Sequence, residues 1–189
     1  MNGRLLFPLL SGLLLAASLL TGCQSPQAGA PIPRGDSTRN NCYSLLHQLL
    51  AEQKEVSLLH FIKSEPGDVK ILVGRIATTS GTGAKLLEEF AKDDPSIRLH
   101  DTRLPAGELA ARAAIASAKE KELLHQTGPE FELTLLLTQT EALSYAWHLA
   151  QVAADNEPQP ERARALAGVS ADMQSLYHQV FVLLLSKAK

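Results

Sequence analysis

The sequence is poor in cysteine, in aromatic residues and in charge of one sign. Its 189 residues include two cysteines and one tryptophan, and aromatic residues make up 5% of the chain. Two cysteines allow at most one disulfide within the chain, between Cys23 and Cys42. A net charge of -2 provides no basic surface for a phosphate backbone, so we expect no nucleic-acid partner.

Runs of β-branched residues, which favour strands, are also almost absent. The nearest is the apolar segment 180–185, which also completes a helical stripe. Alanine and leucine are abundant instead, and both favour helix. The composition therefore predicts an all-α protein, and the chain is long enough for one domain preceded by a leader.

The N-terminal segment has the pattern of a secretory signal. Arg4 is followed by an apolar stretch, 5–20, that proline, glycine and serine interrupt. This stretch is too short and too broken for a comfortable membrane span. We therefore expect residues 1–22 to be a signal peptide that does not belong to the folded domain.

A short motif, Leu20-Thr21-Gly22-Cys23, ends this apolar stretch. It resembles the lipobox of bacterial lipoprotein precursors, in which small residues precede a cysteine that is acylated and becomes the first residue of the mature chain. The resemblance implies that Cys23 carries lipid. Two or three acyl chains anchor a protein stably, because each buried methylene contributes roughly 0.8 kcal/mol.

Gln24 follows the cysteine where an aspartate would be expected for retention in the inner membrane. By the sorting pattern of such lipoproteins, this favours the outer membrane of a Gram-negative cell. We therefore expect the domain to face the periplasm, with the membrane as one partner and an envelope protein as a possible second one. Residues 23–39 contain three prolines and no apolar periodicity, which predicts a lipidated flexible tether.

Cys42 has no disulfide partner within the chain if Cys23 carries lipid. An odd cysteine in an oxidising compartment is either buried or engaged in an intermolecular bridge. The position of Cys42 on the apolar side of the first predicted helix favours burial, and both alternatives remain open at this stage.

Apolar periodicity predicts five helices in a bundle domain over residues 40–189. They cover residues 40–63, 68–92, 105–126, 129–154 and 160–186. Asn40 or Asn41 is placed to cap the first helix. The third helix is rich in alanine and charge, so we expect it to be peripheral.

Regular apolar stripes on three of these helices predict the core. The second helix contributes Val69, Leu72, Ile76, Thr79, Gly83, Leu86 and Phe90. The fourth contributes Phe131, Leu135, Thr138, Ala142, Tyr145, Leu149 and Val152. The fifth contributes Leu166, Val169, Met173, Leu176, Val180 and Leu183. The weak helix formers in the middle of the second helix indicate a small polar layer, a close approach of another chain segment or a local distortion.

Two short turns and one long connection predict how the helices are ordered. A hairpin, a long crossover with a helix of its own and a second hairpin form the connectivity of ferritin-like up-down four-helix bundles. The chain also resembles a family of exported bacterial proteins with a ferritin-like bundle and no assigned function. That likeness covers 41–185 and rests on Glu65-Pro66-Gly67-Asp68-Val69, Gly128-Pro129-Glu130-Phe131-Glu132 and Leu176-Tyr177-His178.

Metal-binding patterns are incomplete. Members of that family often carry an Asp-His pair in the second helix and a histidine in the fourth, where this chain has Thr78-Thr79-Ser80 and Glu141-Ala142-Leu143. A ferritin-type centre needs two Glu-x-x-His units, and only Glu122-Leu123-Leu124-His125 fits. His148 and His178 are predicted to lie roughly 18 Å apart along the last hairpin, too far to share a metal. We therefore expect no metal and no cofactor.

Catalytic motifs are missing as well. The chain has no Gly-x-Ser-x-Gly pattern, and the segment 81–86 lacks the Gly-Lys-Ser/Thr ending of a phosphate loop. The sequence predicts a non-catalytic domain with a binding or structural role, through a protein partner or an apolar ligand between the helices. The alternative is a metal-binding or redox bundle that uses Glu52, Glu141 and one histidine, as the ferritin-like connectivity suggests.

Overall fold

A computed structural model describes residues 34–57 and 67–187 of the chain, all within one compact unit, Ile32–Lys189. Five helices are present: α1 (Arg34–Lys54), α2 (Gly67–Asp93), α3 (Ala106–His125), α4 (Gly128–Asp155) and α5 (Pro160–Lys187). Neither described range contains a strand, so the all-α prediction is confirmed. Of the helices in these ranges, none is long and apolar enough to cross a bilayer.

The first helix begins earlier than the sequence suggested. It starts at Arg34, so neither predicted capping asparagine caps it. The side-chain oxygen of Asn40 instead accepts a hydrogen bond from the backbone N–H of Arg98, in the loop after α2. The tether predicted over 23–39 is wrong for its last residues, because they are helical and Arg39 is buried.

The first helix also ends earlier than predicted. It was expected to continue to Lys63, but it stops at Lys54. The polar segment 52–55 consists of the last residues of α1 and one turn residue. Three of its four side chains are exposed, so the segment faces solvent. A single 3₁₀ turn at 56–57 follows, and the rest of the predicted helix lies outside the described residues.

Four helices pack side by side: α1 contacts α2 and α4, and α5 contacts α4 and α2. Contacts near the helix ends give the directions. Tyr43, early in α1, meets Glu157, just after α4, and Lys187, at the end of α5, meets Asp68, at the start of α2. Each helix is therefore antiparallel to both of its neighbours. The predicted pairing of the first helix with the second and of the fourth with the fifth is confirmed.

Helix α3 lies along the outside of α4. The Arg112 guanidinium donates a 2.9 Å hydrogen bond to the Tyr145 hydroxyl and stacks over the Tyr145 ring. Leu123 is the buried residue of α3, while Leu109 and Leu124 are 45% and 43% exposed. The peripheral position is thus confirmed, but most of the thin apolar side predicted for this helix faces solvent.

The core stripe of α5 is largely as predicted, whereas that of α2 turns away from the prediction in its second half. Five of the six residues expected from α5 are buried. In α2, the fully buried residues are Ser80 and Leu87 where Thr79 and Leu86 were expected. In α4, only three of the seven predicted core residues are buried, and the core face instead includes Leu143, Ala146 and Ala153.

The weak helix formers of α2 belong to a close approach of α1 and α2. A Cβ atom on Gly83 would lie 2.9 Å from Cδ1 of Leu50 in α1. Ser80 is completely buried, and its hydroxyl has no hydrogen-bond partner among the described residues. Because α2 runs without a break from Gly67 to Asp93, a small polar layer and a close approach explain this stretch, and a distortion does not.

Candidate interaction surface

The C-terminal half of α5 carries apolar side chains on its outward face as well as on its inward face. Phe181, Val182 and Leu185 are 42%, 67% and 51% exposed, and His178 is exposed beside them. These four residues form the α5 outward face, since positions three, four and seven apart share one side of a helix. Exposed apolar groups that cluster in this way mark interaction sites more often than isolated ones do.

The apolar segment 180–185 explains this face. The neighbouring helices cover the side of α5 that carries Val180 and, in part, Leu183 and Leu184. An uninterrupted apolar run longer than one helical turn must place some of its residues on the opposite side. The sequence analysis assigned this apolar run to the core stripe of the helix. It did not predict that some of its residues face outward.

Toward α4, the α5 outward face continues into an aromatic row. This row consists of Trp147, His148, Tyr177, His178 and Phe181. The Trp147 ring centre lies 4.3 Å from that of His148, 6.2 Å from that of Tyr177 and 6.4 Å from that of His178. Tyr177 stacks on Phe181 with ring centres 6.0 Å apart. In a chain with few aromatic residues, this row gathers the only tryptophan and its neighbours on one surface.

The predicted separation of His148 and His178 is wrong. Both imidazoles flank the single indole of Trp147, so their rings lie much closer than the expected distance. The predicted distance was counted in residues along the helix axis, with the register set by the turn near Pro158. It left out the length of the side chains, which bring the rings together. The register differs too, because the Ser170 hydroxyl donates to the backbone carbonyl of Trp147.

Toward α2, the α5 outward face borders an open apolar groove of about 570 Å³. Ile71 and Leu72 from α2 and Val182 and Leu183 from α5 provide its apolar lining. Ile71 is 67% exposed. We call this feature the α2/α5 groove.

A buried polar network lies at the other end of the domain. The Tyr43 hydroxyl donates a 2.7 Å hydrogen bond to Oε2 of Glu157. The guanidinium of Arg162 donates to Oε1 of Glu157 at 3.0 Å and to Asp94 at 2.9 Å. The Gln159 backbone N–H also donates to Glu157. The network joins α1, the end of α2, the end of α4 and the start of α5, so its role is structural.

Two carboxylates in this network, those of Glu157 and Asp94, share the one guanidinium of Arg162. Burial alone would raise the pKa of Glu157, but hydrogen bonds from Tyr43, the Gln159 backbone and Arg162 outweigh it and hold the pKa below its ordinary range. Burial, together with the hydrogen bond to Glu157, raises the pKa of Tyr43. The network is therefore most stable with Glu157 ionised and Tyr43 neutral.

Cys42 is buried in α1, as favoured from the sequence. Burial raises the pKa of its thiol, which disfavours the reactive thiolate. One helical turn away, Nε2 of His47 lies 3.2 Å from a carboxylate oxygen of Glu88. The ring of His100 packs edge-on against His47, with centres 5.6 Å apart.

The residues considered for a metal site are spread over the domain. Glu52 is exposed and accepts a hydrogen bond from Gln48, while Glu141 pairs with Lys119 on α3. His125 lies on the exposed side of the peripheral helix. Within residues 34–57 and 67–187, no three His, Cys, Asp or Glu side chains are grouped closely enough to hold a metal ion.

Cys23 and the signal peptide predicted over 1–22 lie outside the described residues, so lipidation remains a prediction. Comparison of the chain with protein-family models, with curated proteins and with solved structures gives no match.

Proposed function

We propose that the chain is a lipid-anchored lipoprotein of the bacterial cell envelope whose helical domain binds a protein partner and has no catalytic role. The observation that carries this proposal is the aromatic row on α4 and α5. Tryptophan and tyrosine are the residues that contribute most often to the centres of protein interfaces, because they bury a large area and keep a polar group available. The row combines both with two exposed imidazoles.

The proposed anchor is the lipid on Cys23, on the outer membrane and facing the periplasm. Its support is the motif Leu20-Thr21-Gly22-Cys23 after a short apolar stretch. The chain enters α1 at Arg34, at the end of the domain where Tyr43 meets Glu157. The α5 outward face lies toward the opposite end, near Lys187, which leaves it free to meet a partner away from the point of attachment.

We further propose that the domain is a ferritin-like bundle. In support, the contacts run in a closed order from α1 to α2, α5 and α4. Neighbours are antiparallel throughout, and the connection from α2 to α4 spans the length of the domain with α3 inside it. This is the connectivity of a ferritin-like fold with one long crossover. Such a fold serves many functions, so it gives no activity by itself.

Binding fits the chemistry of the domain better than catalysis does. At the buried end of the domain, Arg162 donates hydrogen bonds to Glu157 and to Asp94. These charged groups are therefore already engaged within the fold. The thiol of Cys42 is buried and protonated. By contrast, the α5 outward face and the two imidazoles of the aromatic row are exposed, and Trp147 and Tyr177 between them are half-buried.

Photo-crosslinking in living cells tests the proposal. The full-length chain carries a photoreactive amino acid in place of His148, beside Trp147. We expect one defined crosslinked product with an envelope protein, lost in the Trp147→Ala variant because the anchor of the contact is gone. The matched control is Ile115→Ala, which removes an apolar side chain that is 60% exposed on α3, and it should leave the product intact. A product that persists in Trp147→Ala would contradict the proposal.

A further inference from the structure

We infer that two copies of this chain associate through the α2/α5 groove, with the α5 outward face of each copy lying in the groove of the other. This interface goes beyond the proposed function, because it adds the α2 side of α5 and needs neither the lipid nor the rings on α4. It shares His178 and Phe181 with the aromatic row. It assigns a partner, a second copy, to the most exposed apolar side chains of α2 and α5.

The first support is that one chain supplies both halves of the contact. His178, Phe181, Val182 and Leu185 have the spacing of i, i+3, i+4 and i+7 with which a helix enters an apolar groove. The groove lies directly beside them. An interface with two-fold symmetry must be self-complementary, since each surface meets its own copy. His178 and Val182, one helical turn apart, belong to both features, so the two-fold axis passes beside this turn of α5.

The second support is the charge at the two ends of the groove. At one end Lys187 pairs with Asp68 and with Glu132, each at 3.2 Å, so these three groups sum to one negative charge. At the other end Arg75 donates to the side-chain oxygen of Gln179. In the described part of the chain, no carboxylate forms an ion pair with Arg75, which leaves a positive charge there.

A two-fold axis perpendicular to the groove places each end of one copy's groove against the opposite end of the other copy's groove. The positive end of one copy then faces the negative end of the other, and the same happens in reverse on the far side of the axis. Copies that run parallel would instead place like charges together, which is unfavourable. The charges therefore select an antiparallel arrangement of the two α5 helices.

Co-capture of two tagged copies tests this interface. Full-length chains with different C-terminal tags are produced in one cell, extracted in detergent and captured through one tag. We expect Val182→Lys or Ile71→Lys in both copies to lower recovery of the second tag at least tenfold, because each places a charge in the apolar contact. Ile115→Lys on α3 is the matched control and should leave recovery unchanged. Unchanged recovery in both groove variants would overturn the inference.

A covalent test covers the case in which a charged variant fails to fold. Val182→Cys, on a Cys42→Ala background, should form a disulfide-linked dimer that reductant separates, because the two thiols meet at the axis. Ile115→Cys and the Cys42→Ala chain alone should not. A missing dimer band, or a band whose size shows a different protein in the groove, overturns the inference. Trp147→Ala should keep the dimer, so failure of the proposed function and failure of this interface are distinguishable.

Discussion

The hydroxyl of Tyr43 lies 2.7 Å from Oε2 of Glu157, and this contact joins the first helix to the end of the fourth. Arg162 extends the contact from Glu157 to Asp94 at the end of the second helix. Residues that are far apart in the sequence thus close one end of the domain. The opposite end carries the exposed apolar side chains of Ile71, Val182 and Leu185.

Removal of the Glu157 carboxylate should be costly. Glu157→Ala leaves the buried guanidinium of Arg162 with Asp94 alone, and breaking a buried pair in this way costs about 3–5 kcal/mol. Glu120→Ala, at an exposed position of α3, should change the free energy of unfolding by less than about 0.5 kcal/mol. Chemical denaturation measures both, and similar effects in the two variants would show that the network does not hold the end together.

Acid should weaken this end of the domain. The pKa of Glu157 lies below its ordinary 4.5 and that of Asp94 below its ordinary 3.8. Groups with a lowered pKa stabilise the folded state above the unfolded value, and that stabilisation is lost as the pH falls through the folded value. We expect the free energy of unfolding to decrease below pH 4.5, with a shallower slope in Glu157→Gln. Equal slopes would count against the assignment.

Replacement of two buried serines by alanine should affect the stability of the fold differently. Ser80 and Ser44 are both completely buried. The Ser44 hydroxyl donates a 3.0 Å hydrogen bond to the Leu99 carbonyl, whereas the Ser80 hydroxyl has no partner among the described residues. Ser44→Ala should therefore destabilise the fold by about 1 kcal/mol, while Ser80→Ala should be neutral or stabilising. Thermal unfolding of the pair checks this, and a loss of stability in Ser80→Ala would indicate a bound partner for its hydroxyl.

The close approach of α1 and α2 gives a further test. Alanine favours a helix over glycine by about 1 kcal/mol. Gly74 has open space where a Cβ would lie, but a Cβ on Gly83 would lie 2.9 Å from Leu50, which is fully buried and has little room to move. Gly74→Ala should stabilise the domain, and Gly83→Ala should be less stable than it by about 1–3 kcal/mol. Equal stabilities would mean that the helices are farther apart than described.

Much of the fold followed from the sequence. Glycine and proline mark the start of α4 and proline that of α5, and the stripe from Leu166 to Val180 is the core face of α5. These features are local, so periodicity and turn residues are sufficient to place them. The first residues of α1 are different: Arg39 is buried and donates a hydrogen bond to Ser96 in the loop after α2, a long-range contact that no local pattern encodes.

The candidate surface was only partly predictable. The apolar segment 180–185 was seen, but which of its residues face outward depends on where the neighbouring helices lie. The aromatic row needs the register between α4 and α5, and that register is set by contacts such as Ser170 with Trp147. A two-residue error in a turn shifts the facing positions by about 3 Å, and side chains of this size reach further than that.

We propose that lipid on Cys23 holds this domain to the envelope. The most direct test is the intact mass of the full-length chain after production in a Gram-negative cell and separation of membrane from soluble fractions. We predict a membrane-bound product that begins at Cys23 and carries acyl chains. A product that begins at Met1, or one that is cleaved and soluble with an unmodified Cys23, would contradict the account.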